Sequence, residues 1–238
     1  MFNIFDIGII LLLVMFLIVG FKRGVIKEVF SLVGIILVFF LSFAFKGYLG
    51  KILCTFCPFL SFTGSLKGMD TLNILIYQVI SFMILFVVFL TLYEVLIKIS
   101  KVLQKIINAT IILIIPSKIL GVLVSLIKGY LILFIAFLLL MIPIGNTDIY
   151  KESKMVHYMM YETPVLAGYT SNFTKPMEKI YSLGERLSKN EISTDNANKE
   201  ALEIMLDYKV VNKEMVESLI RLKKIKSPEG IEELLEKY

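Results

Sequence analysis

Four long apolar stretches dominate the first 145 positions of the chain, and each predicts a membrane-crossing helix. A spanning helix needs about 20 mostly apolar residues. The first stretch runs from about Ile4 to Gly20 and the second from about Val25 to Phe45. The third runs from about Leu72 to Ile97, with Gln78, Thr91 and Glu94 as its notable polar interruptions. The fourth, Ile119 to Ile144, is apolar except for Ser125 and Lys128. Pro143 and Gly145 mark its end, because proline disrupts a helix interior and glycine suits a terminus. No Lys or Arg precedes the first stretch and no small-residue cleavage site follows it, so a retained helix is expected there, not a signal peptide.

Between the third and fourth stretches, Lys98, Lys101, Lys105 and Asn108 recur at helical spacing, with Ile99, Val102, Leu103, Ile106 and Ile107 largely between them. This pattern predicts an interfacial amphipathic helix on an anionic leaflet, continuing the third span. The run Ile111 to Ile115 is too short to cross. It is expected to dip into the interface or pack on the bundle before Pro116 redirects the chain.

The pattern changes after residue 145. One helical stretch is expected from Pro176 to Lys189, with Thr174 near its start. Ser193 or Thr194 would cap a second, with Leu202, Met205 and Leu206 on one face. Asn212 would cap a third carrying Met215, Val216, Leu219 and Ile220. Ser227 and Pro228 would start a fourth with Ile231, Leu234 and Leu235. Their apolar surface is modest, so the module is expected to lean on the membrane domain, on itself or on a partner. The expected fold is all-α: a polytopic membrane protein with four transmembrane helices, an interfacial amphipathic helix and a small helical C-terminal tail. The expected domains are 1–145 and 146–238.

Composition agrees with this division. Of 238 residues, 57% are hydrophobic and 19% charged, where a soluble domain carries about a quarter charged. Residues 1–145 carry a net charge of +7 and residues 146–238 one of −2. The overall basicity therefore belongs to the membrane-facing half and is no nucleic-acid footprint. The lipid bilayer is the partner it implies. The first connection holds Lys22, Arg23 and Lys27, and the third holds Lys98, Lys101, Lys105 and Lys118. The second holds Lys46, Lys51 and Lys67, spread over a longer loop. Seven cations against three place the first and third connections inside the cell, and both termini outside. Lys151 and Lys154, at the start of the tail, argue mildly the other way.

The stretch GFKRGVIKEVFSLVGI, Gly20 to Ile35, packs charge between two apolar runs. A Lys or Arg at a helix centre costs roughly 2.5–3.5 kcal/mol on insertion scales, so these charges must sit at an interface or pair. Lys22 and Arg23 fall in the turn, and Lys27 and Glu28 one turn into the second helix. A topology anchor with a locally compensated acid is one reading; a gate or pathway residue is another. Lys128 likewise fits either a snorkelling cation at a span starting near Leu126, or a charge paired in the bundle with Glu94 or Glu28. Small residues recur too: Gly24, Ser31 and Gly34 in the second helix, and Gly121, Ser125 and Gly129 in the fourth. Such faces let membrane helices approach closely. A cation precedes a glycine in both, at Arg23-Gly24 and Lys128-Gly129, a faint pseudo-repeat.

These residues resemble the signatures of the colicin V production protein family, CvpA. The first signature is matched by Asp6 early in the first span, then Arg23-Gly24, Lys27-Glu28 and Ser31-Leu32. The second is matched by SKILGVLVSLIKG, Ser117 to Gly129, which enters the last span through Lys128-Gly129. Two positions depart from it: Ser117 stands where the family usually has an acid, and Ser125 where it has a second glycine. The resemblance covers about residues 3–145. It implies a four-span protein of the bacterial cytoplasmic (inner) membrane, linked to colicin V production, hence toxin biosynthesis, and to envelope homeostasis. Relatives whose membrane domain precedes an extracytoplasmic protease imply an outward fourth span.

Little in the sequence suggests catalysis. Cys54 and Cys57 form a CxxC without a thioredoxin-like context, and zinc would need two more ligands. Incidental thiols, a local disulfide and a metal site all stay open. The single histidine, His157, lies past the last span beside Tyr158 and Tyr161, in what resembles an interfacial aromatic belt. No phosphate loop occurs, and no cofactor is expected. Two non-enzymatic functions remain. One is a scaffold or assembly factor that binds other membrane proteins, or itself, through its small-residue faces and tail. The other is a small oligomeric channel or transporter with Asp6, Glu28, Glu94 and Lys128 along a polar path.

Overall fold

The computed structural model describes residues 3–99, 114–145, 147–164 and 166–238. The described residues are helical, joined by turns and loops. Four long helices come first: α1 (Ile4–Arg23), α2 (Val25–Phe56), α3 (Leu72–Ile99) and α4 (Ile114–Ile144). Each contains a segment long and apolar enough to cross a membrane, so the chain is a multi-pass membrane protein with four candidate spans. Less apolar helices follow, all but α7 short: α5 (Asp148–Lys151), α6 (Lys154–His157), a π-helical turn (Tyr158–Glu162), α7 (Leu166–Ser188), α8 (Thr194–Asp207), α9 (Lys213–Arg221) and α10 (Ile231–Glu236). The amphipathic helix expected over 98–108 lies mostly outside the described residues, as do Ile111 to Leu113.

The chain forms two compact units, Met1–Ala44 with Ile84–Ala167, and Phe45–Met83 with Gly168–Tyr238. In the first, α1 packs along α4. Their faces meet through the small residues: a Cβ built on Gly20 would lie 2.5 Å from the Gly121 carbonyl oxygen, and one on Gly121 would lie 2.6 Å from that of Gly20. Ser125 donates a 2.7 Å hydrogen bond to the Phe16 carbonyl, and Gly129 faces the Phe16 ring. In α2, Gly34 makes room for the Tyr93 ring of α3, whose hydroxyl donates to the Phe30 carbonyl at 2.6 Å. The small-residue faces are therefore used inside the chain, where a partner surface had been one expectation for them.

α4 begins at Ile114, earlier than the apolar pattern suggests. Pro116 does not redirect the chain but occupies the first turn of the helix, where its missing N–H is tolerated. Lys128 consequently sits mid-helix, and the shifted start near Leu126 does not occur.

The second unit has its own core. Met69, Leu72, Ile74 and Leu75 are buried in it, as are Ile180, Leu183, Leu202, Met205, Val216 and Leu219. Asn198 joins its parts: its Oδ1 accepts from the Thr71 amide and hydroxyl at 3.1 and 2.8 Å, and its Nδ2 donates to the Gly68 and Thr194 carbonyls. Lys224 donates to the Cys57 carbonyl at 3.0 Å. The tail thus packs on the connection between α2 and α3. The two must lie on one side of the membrane, as four crossings require.

Capping follows the sequence at two helices. Ser193 Oγ accepts from the Asn196 amide, and Asn212 accepts from the Met215 amide. Two boundaries differ. α7 begins at Leu166 and runs through Pro176. Thr174, Pro176, Met177, Ile180 and Leu183 are buried along it, and this burial offsets the roughly 3 kcal/mol that an internal proline costs. α10 starts at Ile231, after Gly230 at φ 72°; Pro228 lends its carbonyl to the Ile231 amide at 3.2 Å.

Candidate functional site

Gly24 stops α1 and starts α2 within a single residue. Its φ of 77° is a conformation that favours glycine, and its N–H bonds the Gly20 carbonyl at 3.0 Å. The abrupt reversal puts Glu28 on the first turn of α2, inward. Glu28 is fully buried and its Oε2 accepts from Lys128 Nζ, which is 4% exposed. Glu28 Oε1 makes no hydrogen bond, and the half-exposed Arg23 guanidinium lies 3.9 Å from it. Lys128 also sits 5.9 Å from the centre of the Phe16 ring. The local compensation expected for Glu28 is therefore secondary. Its main partner is a cation 100 residues away, on another helix. Glu94 is exposed on α3, and Lys27 is exposed on α2.

A second buried acid anchors the other end of α1. Asp6 completes a capping box with Asn3: its Oδ2 accepts from the Asn3 amide at 3.0 Å, and Asn3 accepts from the Asp6 amide at 3.1 Å. Asp6 Oδ1 also accepts from the Ser153 hydroxyl at 2.6 Å and the Met155 amide at 3.0 Å. Asp6 is wholly buried. It fastens the segment after α4 to the start of α1. Tyr150, whose hydroxyl donates to the Phe137 carbonyl at 2.8 Å, and the Tyr130–Thr163 hydroxyl pair fasten it to α4.

Of the residues singled out in the sequence, the structure brings together Glu28, Lys128 and Arg23, and separately Gly121 and Gly24, whose backbones touch. Ser31 is half-buried on α2. The sequence reading passed over Ser153, Tyr93, Tyr130 and Thr163. Their signals were weak: a hydroxyl in or beside an apolar run gives no indication of its partner. Ser117 accepts from the Val25 amide at 3.4 Å, so it caps α2. Cys54 and Cys57 are free thiols, the first buried and the second half-buried.

The family model for "Colicin V production protein" matches residues 5–164. The match takes in Asp6, the Glu28–Lys128 pair and the segment that Asp6 holds. No curated protein and no solved structure matches the chain.

Proposed function

The chain belongs to the colicin V production protein (CvpA) family of helical membrane proteins, and from that premise we propose that it acts as a non-enzymatic scaffold or assembly factor. Its setting is the bacterial inner membrane, in toxin production or envelope homeostasis. The observation that carries this reading is how the charged membrane residues are used. Glu28 and Lys128 neutralise each other in a closed helix contact, and Asp6 is spent on capping and on holding a backbone segment. Groups so committed serve as fixed ties between helices and do not line a solute path. The surface left for partners is that of the second unit, whose helices are amphipathic and whose outer faces are charged.

The loop charges favour an extracytoplasmic second unit. Two experiments test the reading. Purified protein in liposomes should pass no potassium or protons above empty vesicles, while photo-cross-linkers on adjacent exposed positions of α8 and α9 should trap the same envelope protein in cells. Flux that a Lys128→Met substitution abolishes would overturn the scaffold and favour the channel. For the topology, Ser188→Cys should react with an impermeant thiol reagent on intact cells and Lys22→Cys should not, in a background lacking Cys54 and Cys57.

A further inference from the structure

α2 ends in the run Cys54-Thr55-Phe56-Cys57-Pro58, and the chain has no other cysteine. Cys54 lies in the last turn of the helix. The Cys57 amide still bonds the Leu53 carbonyl at 2.8 Å, four residues back, as a helical amide does. Residues three apart on a helix share a face. A rise of about 1.5 Å and a turn of about 100° per residue put their Cα atoms about 5 Å apart, within the roughly 4.4–6.8 Å that a disulfide bridges. Helical Cβ atoms at this spacing stand about 5–6 Å apart, so closure needs a shift of about 1–2 Å. Cys57 lies past the last helical residue, so that shift is confined to the end of α2.

The chain just beyond Cys57 is held at three points. Lys224 Nζ donates to the Cys57 carbonyl at 3.0 Å and stands 5.7 Å from the centre of the Phe59 ring. The Tyr77 hydroxyl donates to the Pro58 carbonyl, and its ring lies 6.0 Å from that of Phe59. Asn73 accepts from the Leu60 amide at 2.7 Å and donates to the Leu60 carbonyl at 3.1 Å. These ties keep the two cysteines in one turn. Exposure then divides their roles. Cys57 is half-buried and open to a small reagent, whereas Cys54 is fully buried and has only Cys57 as a sulfur within reach.

We propose that Cys54 and Cys57 are a modification site, a dithiol that a low-molecular-weight disulfide converts to an internal disulfide. The Cys57 thiolate attacks one sulfur of the reagent, forming a mixed disulfide and releasing the first reagent thiolate. The Cys54 sulfur then attacks Cys57 Sγ, and the second reagent thiolate departs with the Cys54 proton. The two protein thiols are oxidised and the reagent is reduced to two thiols. A dithiol at a helix N-terminus makes an oxidising disulfide, because the helix stabilises its reduced form. This pair sits at the opposite end of a helix, so its disulfide is of the stable kind. The bond locks the turn on which Lys224 of the tail docks. The chemistry is independent of the scaffold reading. Only the state expected in cells rests on the extracytoplasmic placement of the second unit, where disulfides persist.

The test uses the full chain, purified in mild detergent, fully reduced, exposed to oxidised glutathione, quenched in acid and weighed intact. The expected product is a monomer lighter by the hydrogens of both thiols, in which a maleimide labels neither cysteine even after unfolding. Reduced glutathione added in equal amount should leave the bond closed, and dithiothreitol should reopen it. Cys54→Ser should instead retain glutathione on Cys57, and Cys57→Ser should leave the folded protein unmodified. Glutathione persisting on the unaltered protein, thiols that still label, cross-linked dimers, or reopening by reduced glutathione would each overturn the proposal. In cells, acid trapping followed by alkylation should find the pair oxidised. A pair that closes in the purified protein but is reduced in cells would refute the outward placement of the second unit and leave the site standing.

Discussion

Substituting Lys128 by Met removes one half of a buried ion pair while keeping most of the side-chain volume. Glu28 is then left with no direct hydrogen-bond donor, because its remaining cation, Arg23, stands 3.9 Å away and is 58% exposed. Breaking a buried pair from one side costs about 3–5 kcal/mol. The lower end applies here, since polar groups in a membrane protein's unfolded state also find partners. The double variant Glu28→Leu/Lys128→Met removes both charges from a fully buried carboxylate and a nearly buried amine, and it should recover to within about 1 kcal/mol of the parent. Arg23→Ala should cost less than about 1 kcal/mol, as an exposed partner does. The assay is a double-mutant cycle on unfolding free energies, with purified protein in mild detergent titrated with a denaturing one. A coupling near 2 kcal/mol or above is expected; losses that add to within about 0.5 kcal/mol would refute the idea that these two groups hold the helices together.

Gly121→Ala should destabilise by about 1–3 kcal/mol through overpacking against Gly20 and Gly24, whereas Gly47→Ala, with nothing near its Cβ, should be neutral or gain up to about 1 kcal/mol; thermal melts compare them. Asp6→Ala should free the returning segment, read as faster trypsin cleavage at Lys151 and Lys154 with the second unit still resistant. Asn198→Ala leaves the buried Thr71 hydroxyl unpaired and should cost about 1–3 kcal/mol, read as earlier loss of the second unit in proteolysis of the whole chain. Cys57 should react with a maleimide in the folded protein and Cys54 only after unfolding, in keeping with their burial.

The four spans, their number and the caps at Ser193 and Asn212 could be read from the sequence alone. Apolar run length against bilayer thickness is a local property, and so is a cap, whose donor and acceptor lie three residues apart. The small-residue spacing likewise announced close helix contact, though not which helices would meet. What only the tertiary structure decided is pairing at a distance. Lys128 chose Glu28 over Glu94, because the reversal at Gly24 and the Gly20–Gly121 contact align α1, α2 and α4 there. Asp6 reached Ser153 across 147 positions, and the start of α3 became core for the tail, with Gln78 donating to Met215 and Thr71, just before the helix, donating to Asn198. In a membrane, apolar surface does not distinguish lipid from protein, so hydropathy could mark those turns as a span but not as a core. The polar groups that cannot remain alone there make the choice, and their partners are fixed by the folded chain.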